Sequence, residues 1–207
     1  MDSSEPVVIW PPFEAFYLEA LLFSTITALD AAASVETALD TGAAYEPSSS
    51  EWQEAALAIV NGVQRVAHQA GAVSRYLWPP TKSARAQARG MRLRDGLGVS
   101  DSSPLRNREL RNSLEHFDER LDAFCSGLVA GRILPTYVGP LGKDPEVPTY
   151  LFRAYYTNVG VFEVLGKRFE MLPILDALRD LHNRLVLCTN AGGRIPDRWS
   201  SNLEADV

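Results

Sequence analysis

Three residue types that can act together on a phosphodiester stand within one short stretch: Arg111, Asn112 and His116. An imidazole titrates near neutrality, so it can take or give a proton there. A guanidinium binds a phosphate through paired hydrogen bonds and neutralises charge that grows on it. A carboxamide can hold either partner by donating and accepting. The chemistry this set suits is metal-free cleavage of RNA. A base takes the proton of a 2′-hydroxyl, that oxygen attacks the adjacent phosphorus, and the guanidinium stabilises the crowded phosphate. One histidine cannot comfortably serve as base and acid at once, so the reading expects a two-fold dimer that supplies two.

A helix is expected to position these groups. Ser103-Pro104 reads as an N-cap followed by proline at the first helical position, and the helix should run to about Cys125. At about 100° per residue, Leu110, Leu114, Phe117, Leu121 and Phe124 share one arc and form a core stripe. Arg108, Asn112, His116 and Glu119 form the opposite ridge, and Arg111 reaches its edge. Arg108 and Glu119 are therefore candidate substrate-binding residues beside the catalytic candidates Arg111, Asn112 and His116. The bland alternative is a solvated polar face, with Arg111 and Glu115 as a helical i,i+4 pair.

The rest of the chain reads as mainly helical. Helices are expected from Phe13 to about Leu39, from Glu51 to about Leu77 and over 81–95, with Pro79-Pro80 ending the second. An irregular stretch carries Pro135, Pro140, Pro145 and Pro148. Tyr150–Tyr156 and Val161–Leu165, joined by Thr157-Asn158-Val159-Gly160, form a candidate hairpin. Its aromatic stripe, with Phe162 and Phe169, is read as hairpin packing over base stacking. A last helix opens at Pro173 and runs to about Leu187, and a frayed tail is expected over 191–207. The fold class is thus an up-down helical bundle of four to five helices with a small β-hairpin near 150–170, in one domain with its core over 13–187.

Composition narrows the function classes. A chain of 207 residues, 46% hydrophobic and 22% charged, can build a real core. Cys125 and Cys188 make neither a disulfide scaffold nor a metal-ligand pattern, so a reduced, cytoplasmic setting is expected, without metal or cofactor. The apolar run from Phe13 to Val35 is interrupted by Glu14, Glu19 and Asp30, which favours a core or amphipathic helix over a membrane span. The net charge of −6 hides a basic segment: eight Lys and Arg over 82–111 face only Asp95, Asp101 and Glu109, a local excess of five. That segment suits an RNA footprint or an acidic protein partner. His68 is expected to be a partly buried core residue, and His182 a surface one.

The string Arg111-Asn112-Ser113-Leu114-Glu115-His116 resembles the Arg-polar-x3-His signature of the HEPN superfamily, and the wider RNSLEHFDERLD resembles the motif helix of its small prokaryotic members. The layout of two long early helices, a motif helix and a closing helix is similar too. The resemblance implies a helical bundle, a homodimer with facing motifs, and an endoribonuclease of toxin–antitoxin or phage-defence type with Arg111 and His116 catalytic. A cognate antitoxin protein would then be a partner. The alternative is a non-catalytic module of the same kind that binds a nucleotide, RNA or protein; a plain structural bundle is the third reading.

Overall fold

The computed structural model describes residues 9–115, 117–127, 130–142 and 147–200. These form α1 (Pro11–Gly42), α2 (Ser50–Leu77), α3 (Ala84–Gly96), α4 (Arg108–Glu115), α5 (Phe117–Ser126), β1 (Arg132–Gly139), β2 (Thr149–Tyr156), β3 (Val161–Val164), β4 (Lys167–Glu170) and α6 (Met171–Asn190). The protein is mainly helical with a small four-stranded sheet.

The two longest helices pack antiparallel. Gly42 meets Trp52, Gly62 meets Val35, and the rings of Tyr17 and Tyr76 stack edge to face at 6.3 Å. Close approach requires the glycine at 62, because a Cβ there would stand 2.4 Å from Val35 Cγ2. Proline in the first turn starts α1, and the Ser49 hydroxyl caps α2 by accepting from Trp52 N at 3.1 Å. Leu18, Leu21, Ala28 and Ala31 of α1 join Ile59, Val63, Ala67 and Val73 of α2 in the core, completed by Leu178, Leu181 and Leu185 of α6. α1 is long and apolar enough to cross a membrane by length and composition alone, and one face of it is spent on this core.

The sheet has strand order β1-β2-β3-β4, with β1 parallel to β2 and the other pairs antiparallel. The hairpin expectation corresponds to β2 and β3, turning at Gly160, whose φ is +63°. The sheet is larger than expected because β1 and β4 extend it. Pro135 argues against a strand in the sequence, but β1 lies at the sheet edge, where a missing N–H costs no ladder bond. The turn into β4 puts both Leu165 (φ 49°) and Gly166 (φ 75°) in the left-handed region, which only glycine enters easily.

Two further expectations are corrected. The helix expected from Pro104 begins as a 3₁₀ turn over Pro104–Arg106, and α4 proper starts at Arg108, where Asn107 Oδ1 accepts from Leu110 N at 2.9 Å. The tail is not frayed over its described part. Ile195 is buried, and Trp199 N donates to Asp95 O at 3.0 Å while Arg184 stacks on the indole at 5.5 Å. The anchor is Glu14, a buried carboxylate on α1 that accepts from Arg92 (3.1 Å), Arg194 (2.7 Å) and Ile195 N (3.2 Å). Residues 201–207 lie outside the described residues.

Candidate active site

Arg111 is buried, with 6% of its surface exposed. The expectation placed it at the edge of a polar ridge; instead α4 turns it toward α2. Gly71 of α2 faces it, and a Cβ at 71 would lie 3.7 Å from Arg111 Cγ, an ordinary contact. The guanidinium donates from Nη1 to Trp78 O at 3.5 Å, the outer limit of a hydrogen bond. Its Nε is buried and has no hydrogen-bond partner among the described residues. Among the described residues this buried cation therefore has one long hydrogen bond, a pairing that compensates only in part for leaving water.

The neighbours of Arg111 divide between core and surface. Leu110 is buried as the apolar stripe expects, and Ser113 is buried with its hydroxyl accepting from Arg120 Nη1 at 3.1 Å. Asn112 is half-buried, while Arg108 and Glu119 are exposed. His116 and the side chains of Leu114 and Glu115 lie outside the described residues. The apolar stripe beyond them packs on the sheet: Phe117 meets Phe152 edge to face at 5.4 Å, and Phe124 meets Tyr150 at 6.3 Å. Phe162, Phe169, Tyr155 and Tyr156 are buried, so those rings pack the sheet and present no stacking surface.

A polar chain that the sequence reading did not assemble runs along α2 toward Arg111. Asn61, Gln64, His68 and Gly71 recur at three- and four-residue spacing and share one arc of the helix. Arg153 of β2 donates from Nη1 to Gln64 Oε1 at 2.8 Å and to Asn61 Oδ1 at 3.3 Å. Gln64 Nε2 lies 3.4 Å from His68 Nε2. Burial lowers the pKa of Arg153, whose Nε is also buried without a hydrogen-bond partner among the described residues. His68 is exposed, which corrects the core assignment. Desolvation by the surface around it holds it below the ordinary imidazole value, and the Arg75 cation adds to that, so its neutral, proton-accepting form is favoured near neutrality. The available signal was the polar stripe itself, at helical period along α2. His182, expected at the surface, is half-buried, with Nδ1 3.1 Å from the hydroxyl of the fully buried Thr25.

The basic segment over 82–111 is largely used up by the fold. Arg92 serves Glu14 and the carbonyls of Ile195 and Pro196. Arg94 donates to Leu77 O and stacks on Trp78 at 5.6 Å, and both Arg94 and Arg106 lie 3.5 Å from Asp101. Trp78 Nε1 donates to the same carboxylate, which is the main cause of its lowered pKa. Arg89 lies over the rings of Tyr17 and Tyr76, 5.7 Å from each. Lys82, Arg85 and Arg108 remain exposed. A linear count of charge therefore overstated the footprint available to RNA.

Two other polar centres are structural. Tyr156 donates to Glu163 at 3.0 Å, and Arg168 reaches the same oxygen at 2.6 Å. Burial, then the bond to Glu163, pushes the phenol up to about 12, so it keeps its proton. Burial raises the Cys188 thiol, which is inert there. No group of three or more His, Cys, Asp or Glu among the described residues is placed to hold a metal ion. Comparison with protein-family models, curated proteins and solved structures finds no match to this chain.

Proposed function

We propose that the protein is a metal-independent endoribonuclease of the HEPN kind, acting as a dimer in a toxin–antitoxin or phage-defence role. The observation that supports this most is Arg111. It begins the Arg-polar-x3-His string, it is buried, and its Nε has no hydrogen-bond partner among the described residues. A fold bears such a cost most readily where the unused donors serve a ligand. Phosphate oxygens are the ligand this group fits best.

In this reading His116 takes the proton from the 2′-hydroxyl, and the 2′-oxygen attacks phosphorus. The 5′-oxygen leaves with a proton from the partner copy's imidazole. The products carry 2′,3′-cyclic phosphate and 5′-hydroxyl ends. Arg111 stabilises the phosphorane charge, Asn112 orients the phosphate, and Arg108 and Glu119 on the exposed side contact flanking nucleotides. RNA cleavage in EDTA tests it. Wild type should cut, and His116→Ala should lose about 10²–10⁴-fold in rate, the range for one general acid–base group.

The second reading, a non-catalytic binding module, is favoured by one observation: Arg111 faces Gly71 and the Trp78 carbonyl, inward from the surface. Binding of an RNA that is never cut, and that survives His116→Ala, would support this second reading over the first.

A further inference from the structure

Between α1, α2, β2 and the start of α6 lies a hollow of about 160 Å³. Its walls are Val35 of α1, Val63 and Val66 of α2, and Met171 and Leu175 of α6. All but Leu175 are buried, yet the space between them is open. The walls are fixed by the fold. Val35 is pressed against Gly62 where the two long helices touch. Met171 N donates to Gly160 O at 2.9 Å, which holds the first turn of α6. An apolar space of this size suits one small ring, since a cavity of about 150 Å³ lined by aliphatic and aromatic side chains takes benzene. Met171 favours an aromatic ring over an alkyl group, because a thioether gains from contact with a ring edge.

Two polar groups stand at the hollow. Tyr155 of β2 is buried, and its hydroxyl makes no hydrogen bond to a described residue. Glu36 of α1 is exposed at the mouth and makes no ion pair with a described residue. Burial, then the Glu36 carboxylate, raises the Tyr155 phenol, so it keeps its proton and feels the nearby negative charge. The charge along this side has one sign. α1 carries Glu14, Glu19, Asp30, Glu36 and Asp40 and no Lys, Arg or His, and Asp40 follows Glu36 by one turn. On α6, Asp176 is already paired with Arg179 at 2.9 Å.

We propose that this hollow binds a small arylalkyl amine, with the ring between the valines and Met171 and the ammonium at the mouth, donating to the Glu36 carboxylate and the Tyr155 hydroxyl. A neutral ring alone would leave both polar groups unserved, and an anion would meet Glu36 and Asp40. None of these residues belongs to the 108–119 segment, so the site stands apart from the ribonuclease reading. NMR titration of the full chain with 2-phenylethylammonium tests it, beside 3-phenylpropionate as a similar ring of opposite charge. The ammonium should bind saturably with a Kd on the order of 1 mM or tighter, shifting the methyl signals of Val63, Val66 and Met171. The carboxylate should bind at least about tenfold more weakly. Glu36→Gln should weaken the ammonium about threefold to fivefold, the worth of a partly solvated ion pair. Val66→Phe, which fills the hollow, should abolish binding with unchanged circular dichroism. Glu36 is exposed, so Glu36→Gln gives a folded test whatever Val66→Phe does. Absence of saturable shifts up to about 10 mM ligand would overturn the proposal. So would equal affinity for the two ligands, shifts confined to other residues, or undiminished binding in Glu36→Gln.

Discussion

Arg111 illustrates what a helical wheel can and cannot tell. Its residue type and spacing to His116 were legible, but its orientation depends on what α4 packs against. Gly71 and the carbonyl at the C-cap of α2 draw it inward, and neither is near it in sequence. Its cost to the fold yields a prediction. Arg111→Met, close in shape and apolar, should fold with equal or higher thermal stability, because replacing an imperfectly paired buried charge is often neutral or stabilising by about 1–4 kcal/mol. The same variant should lose RNA cleavage. A strong fall in melting temperature would mean that the guanidinium is structurally paired after all. His68 gives a pH-dependent prediction. Its folded pKa lies below its unfolded value, so its contribution to stability is present above about pH 6.5, the ordinary imidazole value, and is lost as pH falls through the folded pKa. An NMR titration should show a midpoint below that of a free imidazole, moving up in Arg75→Ala. A midpoint above 6.5 would contradict the desolvated environment.

At the scale of elements, the long helices were readable because apolar period and proline stops agree, as in Pro79-Pro80 after α2. Strand β1 was not readable, because edge position excuses the proline and edge position is a tertiary fact. The fate of the 82–111 cations was hidden for the same reason: Arg92 finds Glu14, and Arg89 finds Tyr17 and Tyr76, across long sequence distances. The α1–α2 pair makes a paired prediction. Gly62→Ala should destabilise by about 1–3 kcal/mol, since the added methyl meets Val35 at 2.4 Å. Gly71→Ala has space at 3.7 Å and should be neutral or gain up to about 1 kcal/mol in helix propensity. Chemical denaturation of both reads the difference, and equal effects would refute the close packing assigned to residue 62.

At the scale of the molecule, the first turn of α1 and the tail after α6 are tied through one carboxylate. Glu14 is 2% exposed, while Arg92 and Arg194 keep part of their surface in water. Glu14→Ala should therefore cost about 2–4 kcal/mol, toward the lower side of the range for breaking a buried pair. It should also open the tail to proteolysis near Arg194. A variant as stable and as protease-resistant as wild type would show that Ile195 and Trp199 hold the tail unaided. The same closure leaves Trp10, Phe13, Phe16 and Phe23 exposed on the outer face of α1. It leaves Arg111 between α4 and α2, next to the polar chain of Asn61, Gln64 and His68. The most direct test of the functional account is cleavage of a mixed RNA pool in EDTA by purified wild type and His116→Ala, with folding checked by circular dichroism. The account predicts 2′,3′-cyclic phosphate ends from wild type and intact RNA from the folded variant. Equal cleavage by both, or none by either across several RNAs and pH values, would contradict it.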